Sequence, residues 1–412
     1  MRSSCAIAQI GATVLGMQNR RVLISGASVA GPALAFWLSR YGFTPTVVER
    51  APSLREGGYA VDFRGASLCV LDRMGLLGQV EAEATNMGEV SYVDEMDRTL
   101  VVTPPTFQSG ELEIMRGDLS RILYDATKND VEYVFGDSIT GITEHGAGVT
   151  VTFEHGEPRE FDLVVGADGL HSNVRSLVFG DESWYRRDLG YYVSIFTVPN
   201  HLGLDHVGRF YNEPNRTIGV YSARHNAEAK ALFWFGSEPL AYDHRDVEQQ
   251  RGIVAEAFAG TGWETSTLLK RMREAPDFYF DSASQIKLDT YSSGRVALVG
   301  DAAYCAAPLS GMGTSLAIVG AYVLAGELAA AGGDHTTAFT AYHDEMREFV
   351  TVCQKLGEGN GKWFVPPTRA WIRMRNLNLR LLPHLPWRKV IEQLPLKAGN
   401  AITLKEYAKV LA

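Results

Sequence analysis

The chain has few of the features that mark disulfide-rich, metal-binding or secreted proteins. Only 4 cysteines occur in 412 residues. They stand at Cys5, Cys69, Cys305 and Cys353. Their scattered positions have neither the pairing of a disulfide framework nor the spacing of metal ligands. We therefore expect no metal site, and a reducing, cytoplasmic setting.

Excess positive charge and long apolar runs are also missing. The net charge of −9 argues against nucleic acid as a partner, because phosphate binding needs a basic surface. The best apolar run, residues 316–326, is about half of a membrane span and is followed at once by Glu327. The sequence therefore predicts no stable membrane insertion. Hydrophobic and charged fractions of 46% and 21% are typical of a globular protein.

Residues 21–50 carry the first informative motif, RVLISGASVAGPALAFWLSRYGFTPTVVER. It predicts a strand, a turn at Gly26, a helix and a second strand that ends at Glu49. Unpaired amides at the helix start suit a pyrophosphate, and the carboxylate suits ribose hydroxyls. Ser28 replaces the second glycine of the usual fingerprint, and its hydroxyl can donate to phosphate. The alternative is an ordinary buried strand-helix-strand unit.

Three further motifs follow in order. Residues 111–124, ELEIMRGDLSRILY, predict a helix that begins near Arg116, although that arginine could also pair with a surface carboxylate. A buried strand at 163–165 leads into GADGLHSNVR, which contains Asp168. Residues 294–317, GRVALVGDAAYCAAPLSGMGTSLA, predict a strand that delivers Asp301, then a glycine-rich bend and an apolar helix.

Residues 181–284 differ from these segments in being rich in aromatic residues with strand-like alternation. An inserted sheet of this kind would form a second wall around a cavity and suit a flat organic molecule. The alternative is that the aromatic side chains form ordinary sheet core.

The four motifs, in this order, resemble those of single-component FAD-dependent aromatic hydroxylases of the para-hydroxybenzoate hydroxylase type. The nearest branch is that of tetracycline-inactivating monooxygenases, and the resemblance covers residues 20–385. It implies an α/β fold with a Rossmann-like ββα FAD-binding core, an inserted antiparallel-sheet substrate domain and a C-terminal helix. The implied FAD domain comprises 19–88, 112–180 and 285–350. The substrate domain comprises 89–111 and 181–284, and a helical segment spans 351–412.

The resemblance also implies which residues hold FAD without a covalent bond. The set runs from the pyrophosphate and adenosine sites, through the ribityl chain, to the flavin ring. It consists of Gly26, Ser28, Ala30, Gly31, Glu49, Arg50, Arg55, Asp62, Arg116, Asp168, Asp301, Pro308, Gly311, Met312 and Gly313. Asp168 lies in a motif that serves nicotinamide contacts as well. Tyr304 departs from the pattern, because many relatives carry histidine there.

Matching the aromatic region to the family's central sheet gives candidates for substrate contact. Arg209 would orient a phenolate, enolate or carboxylate, and Tyr211 is a second catalytic candidate. Tyr221, Phe233 and Phe235 are expected on cavity-facing strands. The alternative for Arg209 is a solvated strand arginine.

The reaction implied is a hydroxylation. NADH or NADPH would reduce the flavin, O2 would add at C4a, and the hydroperoxide would pass one oxygen to an aromatic or polyketide-like small molecule. Two alternatives stay open: a related reductase or dehydrogenase without oxygen insertion, and a non-catalytic flavin-binding protein. A halogenase is disfavoured because the WxWxIP signature is absent. The sequence leaves both monomer and homodimer open.

The two ends of the chain are expected to differ. Residues 1–18 are predicted to be an extension outside the folded core. Residues 359–391 carry seven basic residues and no acid, with an apolar helical stripe of Trp371, Met374, Leu377 and Leu381. Such a helix could lie on a membrane. The resemblance favours packing along both domains instead.

Overall fold

The computed structural model describes residues 17–55, 57–103, 110–223, 226–384, 386 and 394–407. The predicted N-terminal extension falls almost wholly outside these ranges. The α/β class is confirmed by the elements that follow.

Within the described ranges the strands form four sheets. In chain order they are β1 (Arg21–Ser25), β2 (Thr44–Glu49), β3 (Ala60–Phe63), β4 (Val90–Val93), β5 (Thr99–Thr103), β6 (Leu112–Met115), β7 (Glu132–Phe135), β8 (Ile139–His145), β9 (Gly148–Phe153), β10 (Arg159–Phe161), β11 (Leu163–Gly166), β12 (Arg186–Pro199), β13 (Gly208–Glu213), β14 (Arg216–Ala223), β15 (Glu228–Gly236), β16 (Tyr279–Ile286), β17 (Ser292–Ser293) and β18 (Val296–Leu298).

The helices are spread along the chain and dominate its C-terminal part. They are α1 (Ala30–Arg40), α2 (Ala66–Met74), α3 (Leu77–Ala82), α4 (Arg116–Asp125), α5 (Asn173–Phe179), α6 (Val247–Ala257), α7 (Thr265–Met272), α8 (Asp301–Tyr304), α9 (Gly313–Ala330), α10 (His335–Phe364), α11 (Arg369–Leu381) and α12 (Leu394–Gly399). Short 3-10 turns occupy Glu182–Trp184, Pro308–Ser310 and Leu382–His384.

One sheet has the order β17-β18-β11-β1-β2-β7, parallel except at β17. Its central strands are apolar because both faces are covered, one by helix α1 and the other by the β8–β10 sheet, and Val22, Leu23 and Ile24 are fully buried. Parallel strands end at the same edge, so the turns that follow β1, β11 and β18 lie together. The dinucleotide motif, the GADG motif and Asp301 therefore converge there.

A second sheet has the order β16-β12-β15-β14-β13-β4-β5. Strands β4 and β5 come from residues 90–103, and the other five come from residues 186–286. The two segments expected to form the substrate domain thus share one sheet. A ribbon of β3 and β6 lies apart from both large sheets, and β8, β9 and β10 form a further antiparallel sheet.

The C-terminal segment differs from the expectation in two respects. The boundary expected between residues 350 and 351 falls inside helix α10. In α11 the buried residues include Arg375 and Leu379, whereas Met374, Leu377 and Leu381 of the predicted apolar stripe are exposed. The reason is that the Arg375 guanidinium takes the buried position. It stacks over the ring of Tyr92 in β4, with its Cζ 3.9 Å from the ring centroid.

The same segment packs against the seven-stranded sheet and against helix α10, which agrees with the resemblance. Helix α11 packs on β5 and β13, and α12 packs on α10. Beyond α12, the Lys405 ammonium and the Tyr407 hydroxyl bond the Glu327 carboxylate at 2.8 Å and 2.7 Å. The Glu327 carboxylate near the C-terminal end of α9 is thereby paired with a positive charge.

Helix α9 corrects the expectation about apolar length. Gly313–Ala330 is long and apolar enough to cross a membrane by length and composition, but 83% of it is buried in the protein. The cause is a full apolar circumference rather than one apolar face, which is typical of a central core helix. The helix packs against α1, α2 and α10.

Candidate active site

The turn after β1 is built for a close approach. Gly26 has φ of +108°, and a Cβ there would lie 2.5 Å from the Ala167 carbonyl oxygen. A Cβ at Gly31 would lie 1.9 Å from the Gly26 carbonyl oxygen. Both positions exclude side chains, so strand β1, helix α1 and the end of β11 are held together tightly.

Helix α1 begins without a side-chain cap and without an acidic residue in its first turn. Its first amides and its dipole therefore present positive charge where a pyrophosphate would bind. The Arg116 side chain adds to this charge, and its Nη1 donates to the Ser28 hydroxyl at 3.0 Å. Ser28 and Arg116, predicted from separate motifs, thus meet at the helix start, and Ala30 opens the helix.

The Glu49 carboxylate is fixed at the end of β2. It accepts hydrogen bonds from the backbone amides of Ala27 and Ala51, each at 2.9 Å. Arg55 reaches it at 3.6 Å, and Arg50 is exposed beside it. Each oxygen has one backbone donor and further acceptor capacity, so the carboxylate fits ribose hydroxyls.

Asp168 is hydrogen-bonded to residues that follow it closely in the chain. Its carboxylate accepts from the Ser172 hydroxyl at 2.5 Å and from the Val174 amide at 3.0 Å, and so holds the turn that starts α5. Burial raises the pKa of Asp168. The carboxylate therefore shapes the turn next to Gly26.

Asp301 joins the two motifs that are far apart in sequence. It follows Gly300, where a Cβ would lie 3.0 Å from the Ala30 Cβ. A Cβ at Gly313 would lie 3.7 Å from the Asp301 Oδ1. The carboxylate therefore stands between the starts of α1 and α9, and burial raises its pKa. This position fits the polar ribityl chain between the phosphates and the ring.

The glycine bend precedes α9, the second helix with an open start. Pro308 begins a 3-10 turn, Gly311 follows in the left-handed region, and Met312 is buried. Helix α9 then begins at Gly313 with neither a side-chain cap nor an acid in its first turn. Its positive end fits the negative charge that a reduced flavin carries.

Arg64 fixes this bend, and the sequence motifs did not predict its role. Its Nη1 donates to the Gly311 carbonyl oxygen at 2.7 Å and to the Asp62 carboxylate at 3.1 Å. The side chain is buried. Asp62, predicted to lie beside the ring, thus acts on the bend through Arg64.

Glu113 is a second missed residue, directly opposite Asp62 in the β3–β6 ribbon. Its carboxyl accepts from the Thr85 hydroxyl at 2.5 Å. Burial, and then the negative charge of Asp62, raise the pKa of Glu113 to about 8. At neutral pH this carboxyl holds a proton for much of the time.

Three tyrosines form an apolar and neutral wall near this ribbon. The Tyr59 and Tyr279 rings lie 5.5 Å apart, and the Ala60 amide donates to the Tyr221 hydroxyl at 3.4 Å. Burial raises the pKa of Tyr59 to about 12, and it raises the pKa of Tyr221 and Tyr279 as well. The three phenols therefore stay uncharged hydrogen-bond donors.

Four predicted substrate residues lie on the opposite face of the seven-stranded sheet, which corrects the expectation. Phe233 and Phe235 pack edge-on against Phe258, with ring centroids 4.8 Å and 5.8 Å away. Tyr211 belongs to the same cluster, and Arg209 on that face pairs with Asp97. Alternate strand residues point to opposite faces, so a cavity-facing strand need not bring a given residue to the cavity.

Tyr304 also lies away from the bend. It is buried, and its hydroxyl accepts a bond of 2.9 Å from Tyr342. A Cβ at Gly320 would lie 1.8 Å from the Tyr304 hydroxyl oxygen, so the ring packs beneath α9. The departure from histidine therefore changes the helix support more than the surroundings of the bend.

A cavity of about 390 Å³ opens beside the ribbon. Its lining includes Arg55, Gly57, Thr85, Met115 and Gly117. Thr85 links this lining to Glu113 through the hydrogen bond described above. The cavity therefore lies next to the start of α4 and the polar side of the ribbon.

Comparison with known proteins agrees with this geometry. A family model described as FAD binding domain matches residues 19–354. An uncharacterized protein of Mycobacterium tuberculosis is 50% identical over 83% of this chain and 93% of its own length. A flavin-dependent monooxygenase of Legionella longbeachae is 41% identical over 82% of this chain and 88% of its own length.

The chain belongs to the FAD binding domain family of flavin-dependent monooxygenases. The crystal structure of tetracycline destructase Tet(51) is similar to this chain at a TM-score of 0.83 and 36% identity. It aligns with 95% of this chain, and 99% of its own chain is covered. The resemblance inferred from the four motifs is thus confirmed, as are the enzyme class and FAD as the family cofactor.

Proposed function

We propose that this protein is an NAD(P)H-using, FAD-dependent monooxygenase that hydroxylates a polycyclic or aromatic small molecule. The observation that carries the proposal is the meeting of two open helix starts, at α1 and α9, with Asp301 between them. A long anionic cofactor fits such a path, because each helix start supplies positive charge. The likeness to a tetracycline destructase supports a polyketide-like substrate.

We propose that FAD is held by the residues predicted from the motifs. Gly26, Ser28, Ala30, Gly31 and Arg116 would hold the pyrophosphate, Glu49 and Arg50 the adenosine, Asp301 the ribityl chain, and Asp62, Pro308, Gly311, Met312 and Gly313 the ring region. Arg55, which the resemblance put beside the ring, would instead lie at the adenosine, because it reaches Glu49 at 3.6 Å. When bound and reduced, FAD supplies the redox chemistry with O2. The route through a flavin hydroperoxide, the use of NADH or NADPH, and a nicotinamide contact of Asp168 stay predictions.

The chain's own residues would orient the substrate and exclude water. Tyr59, Tyr221 and Tyr279 present neutral hydroxyls on the side of the second sheet that faces the ribbon. Neutral phenols can donate to a ketone, enol or phenol oxygen without a full charge in an apolar place. Glu113, with its raised pKa, can hold a proton at the same side.

The setting is part of the proposal. Among the described residues, Cys69, Cys305 and Cys353 are free thiols, which suits the cytoplasmic setting predicted from the sequence. Burial raises the pKa of the Cys305 and Cys353 thiols, so neither is suited to be a nucleophile.

The test is substrate-dependent oxygen insertion. Purified FAD-loaded protein is given NADH or NADPH, O2 and a panel of tetracyclines and simpler phenols. We expect one class to stimulate NAD(P)H oxidation and to gain the mass of one oxygen atom. Stimulated NAD(P)H oxidation with substrate reduction and no oxygen gain would favour the reductase alternative. Bound FAD without turnover on any compound would favour a flavin-binding protein.

A further inference from the structure

His171 stands three residues after Asp168 and contacts side chains from two other segments. Ligand atoms of His171, His244 and Asp281 all lie within 4.8 Å of one another. Two imidazoles and one carboxylate are donors that Zn²⁺ takes in proteins. These residues are far apart in sequence, which is why their spacing gave no metal signal.

The two nitrogens of His171 have different surroundings. Its Nδ1 lies 2.9 Å from a Glu182 carboxylate oxygen, and its Nε2 lies 3.2 Å from the Asp281 Oδ1. Metal-binding histidines commonly donate one nitrogen to a carboxylate while the other binds the ion. Glu182 suits the first role, and Asp281 suits a shared ion at the second nitrogen.

The supporting carboxylate is itself held in place. Glu182 accepts from the buried Arg175 at 2.6 Å and from Arg186 at 3.0 Å. Two arginines therefore fix the Glu182 group that would set the tautomer and ring orientation of His171. Such support is what separates a built site from a chance contact of a histidine with one acid.

The distances on the open side suit a tetrahedral ion. Two ligands about 2.0–2.1 Å from zinc lie roughly 3.3 Å apart in a tetrahedron, and the His171 Nε2 and Asp281 Oδ1 are 3.2 Å apart. His244 is exposed and lies on a loop, and its ring centroid is 3.8 Å from that of His171. It can turn to supply the third ligand and leave a fourth position for water.

We propose that His171, His244 and Asp281 bind a divalent transition-metal ion of the zinc class. His171 lies in the turn after β11 of the six-stranded sheet. Asp281 lies in β16 of the seven-stranded sheet, and His244 lies in the loop after β15. A bound ion would therefore tie the turn beside the candidate FAD site to the seven-stranded sheet. The Glu182 carboxylate would orient the His171 ring.

Zinc titration of the FAD-loaded protein tests the proposal directly. Protein freed of metal by a chelator and dialysed is titrated with ZnCl2 and, separately, MgCl2 in a calorimeter. Mildly alkaline buffer is used because the proton then competes less with the ion.

We expect one Zn²⁺ per chain, a raised melting temperature, and no matching response to Mg²⁺, which prefers oxygen ligands. His244→Asn removes an exposed ligand and should weaken zinc binding at least about tenfold. His145→Asn is the matched control, because His145 is a half-exposed histidine in strand β8 that contacts Glu160 and the Ala147 amide and none of the proposed ligands.

Two results would overturn the proposal. One is the absence of saturable one-to-one zinc binding to the parent protein. The other is parent-like zinc affinity in His244→Asn, which would mean that zinc binds elsewhere. In either case His171 serves only as a hydrogen-bonded link between Glu182 and Asp281. Neither result depends on turnover, so the test is separate from that of the proposed function.

Discussion

The two large sheets make their contributions to the site in different ways. In the six-stranded sheet, the parallel strands deliver short motifs to one edge, and each motif carries its own turn and helix start. In the seven-stranded sheet, each strand presents alternate residues to two faces, and only one face lies toward the ribbon. Local sequence therefore positions the first set, whereas the second set depends on strand phase and on what covers each face.

Gly26→Val is the strongest way to break the first half of this comparison. The added side chain meets the Ala167 carbonyl oxygen and a left-handed backbone, so we expect FAD binding to weaken by about 100-fold or more. Flavin fluorescence titration measures the affinity. Gly252→Ala is the control, because a Cβ there meets nothing within 4 Å and FAD affinity should not change.

Phe233→Ala tests whether the far face of the second sheet is purely structural. The side chain is fully buried in the layer under α6 and α7, so its loss should reduce the free energy of unfolding by about 3–5 kcal/mol. Urea unfolding measures the change. A normal unfolding free energy with a strongly raised KM would instead put Phe233 at the substrate.

Glu113→Gln tests the titration of the ribbon. The folded protein keeps the Glu113 proton up to a pKa of about 8, whereas the unfolded chain releases it near 4.5. The folded state thus binds more protons in this window, and stability falls as pH rises through it, by up to about 1.4 kcal/mol per pH unit.

The variant should lose that component of the pH dependence. Unfolding by urea between mildly acidic and neutral pH measures the slope, with the exposed Glu81→Gln as control. Equal slopes for the parent protein and Glu113→Gln would show that Glu113 is ionised like an ordinary surface acid.

A matched pair of tyrosines sharpens the comparison between the two faces. Tyr221→Phe removes a hydroxyl on the ribbon side, and we expect kcat/KM for the substrate to fall about tenfold with little change in melting temperature. Tyr211→Phe removes a hydroxyl on the far face, where it bonds Glu213, and should leave kcat/KM nearly unchanged. Steady-state NAD(P)H oxidation measures both, and the reverse order would invert our assignment of the faces.

Arg209→Ala has the smallest expected effect. The side chain pairs with Asp97 on the far face and is about one-third exposed, so the pair contributes less than about 1 kcal/mol. We expect turnover and KM to stay within about twofold of the parent. A large loss of kcat with normal stability would restore the sequence-based prediction of an orienting arginine.

Sequence was a good guide where one motif contained both the turn and the group it presents. The GASVAG turn, Glu49 at the strand end and Asp301 before the glycine bend all lie where parallel-strand logic predicts. The convergence of Asp301 on α1 also follows, because β18 and β1 end at one edge. The α/β class and the flavin family were likewise accessible from four ordered motifs.

Sequence was a poor guide where the outcome depended on packing. Phe233 and Tyr221 have similar strand contexts, but they face opposite sides because the phase of the alternation is set by the sheet's neighbours. Arg64 and Glu113 gain their roles from partners across the ribbon and across the chain. The buried Arg375 displaced an apolar stripe because its guanidinium finds an aromatic face and an amide oxygen.

We propose above all that one FAD molecule extends from the start of α1 to the bend before α9. A crystal structure of the protein with FAD is the decisive test. We expect the pyrophosphate within hydrogen-bond distance of the first amides of α1, and the flavin ring in contact with Gly311–Gly313. A protein that takes up no FAD, or a flavin ring lying elsewhere with the bend before α9 untouched, would contradict it.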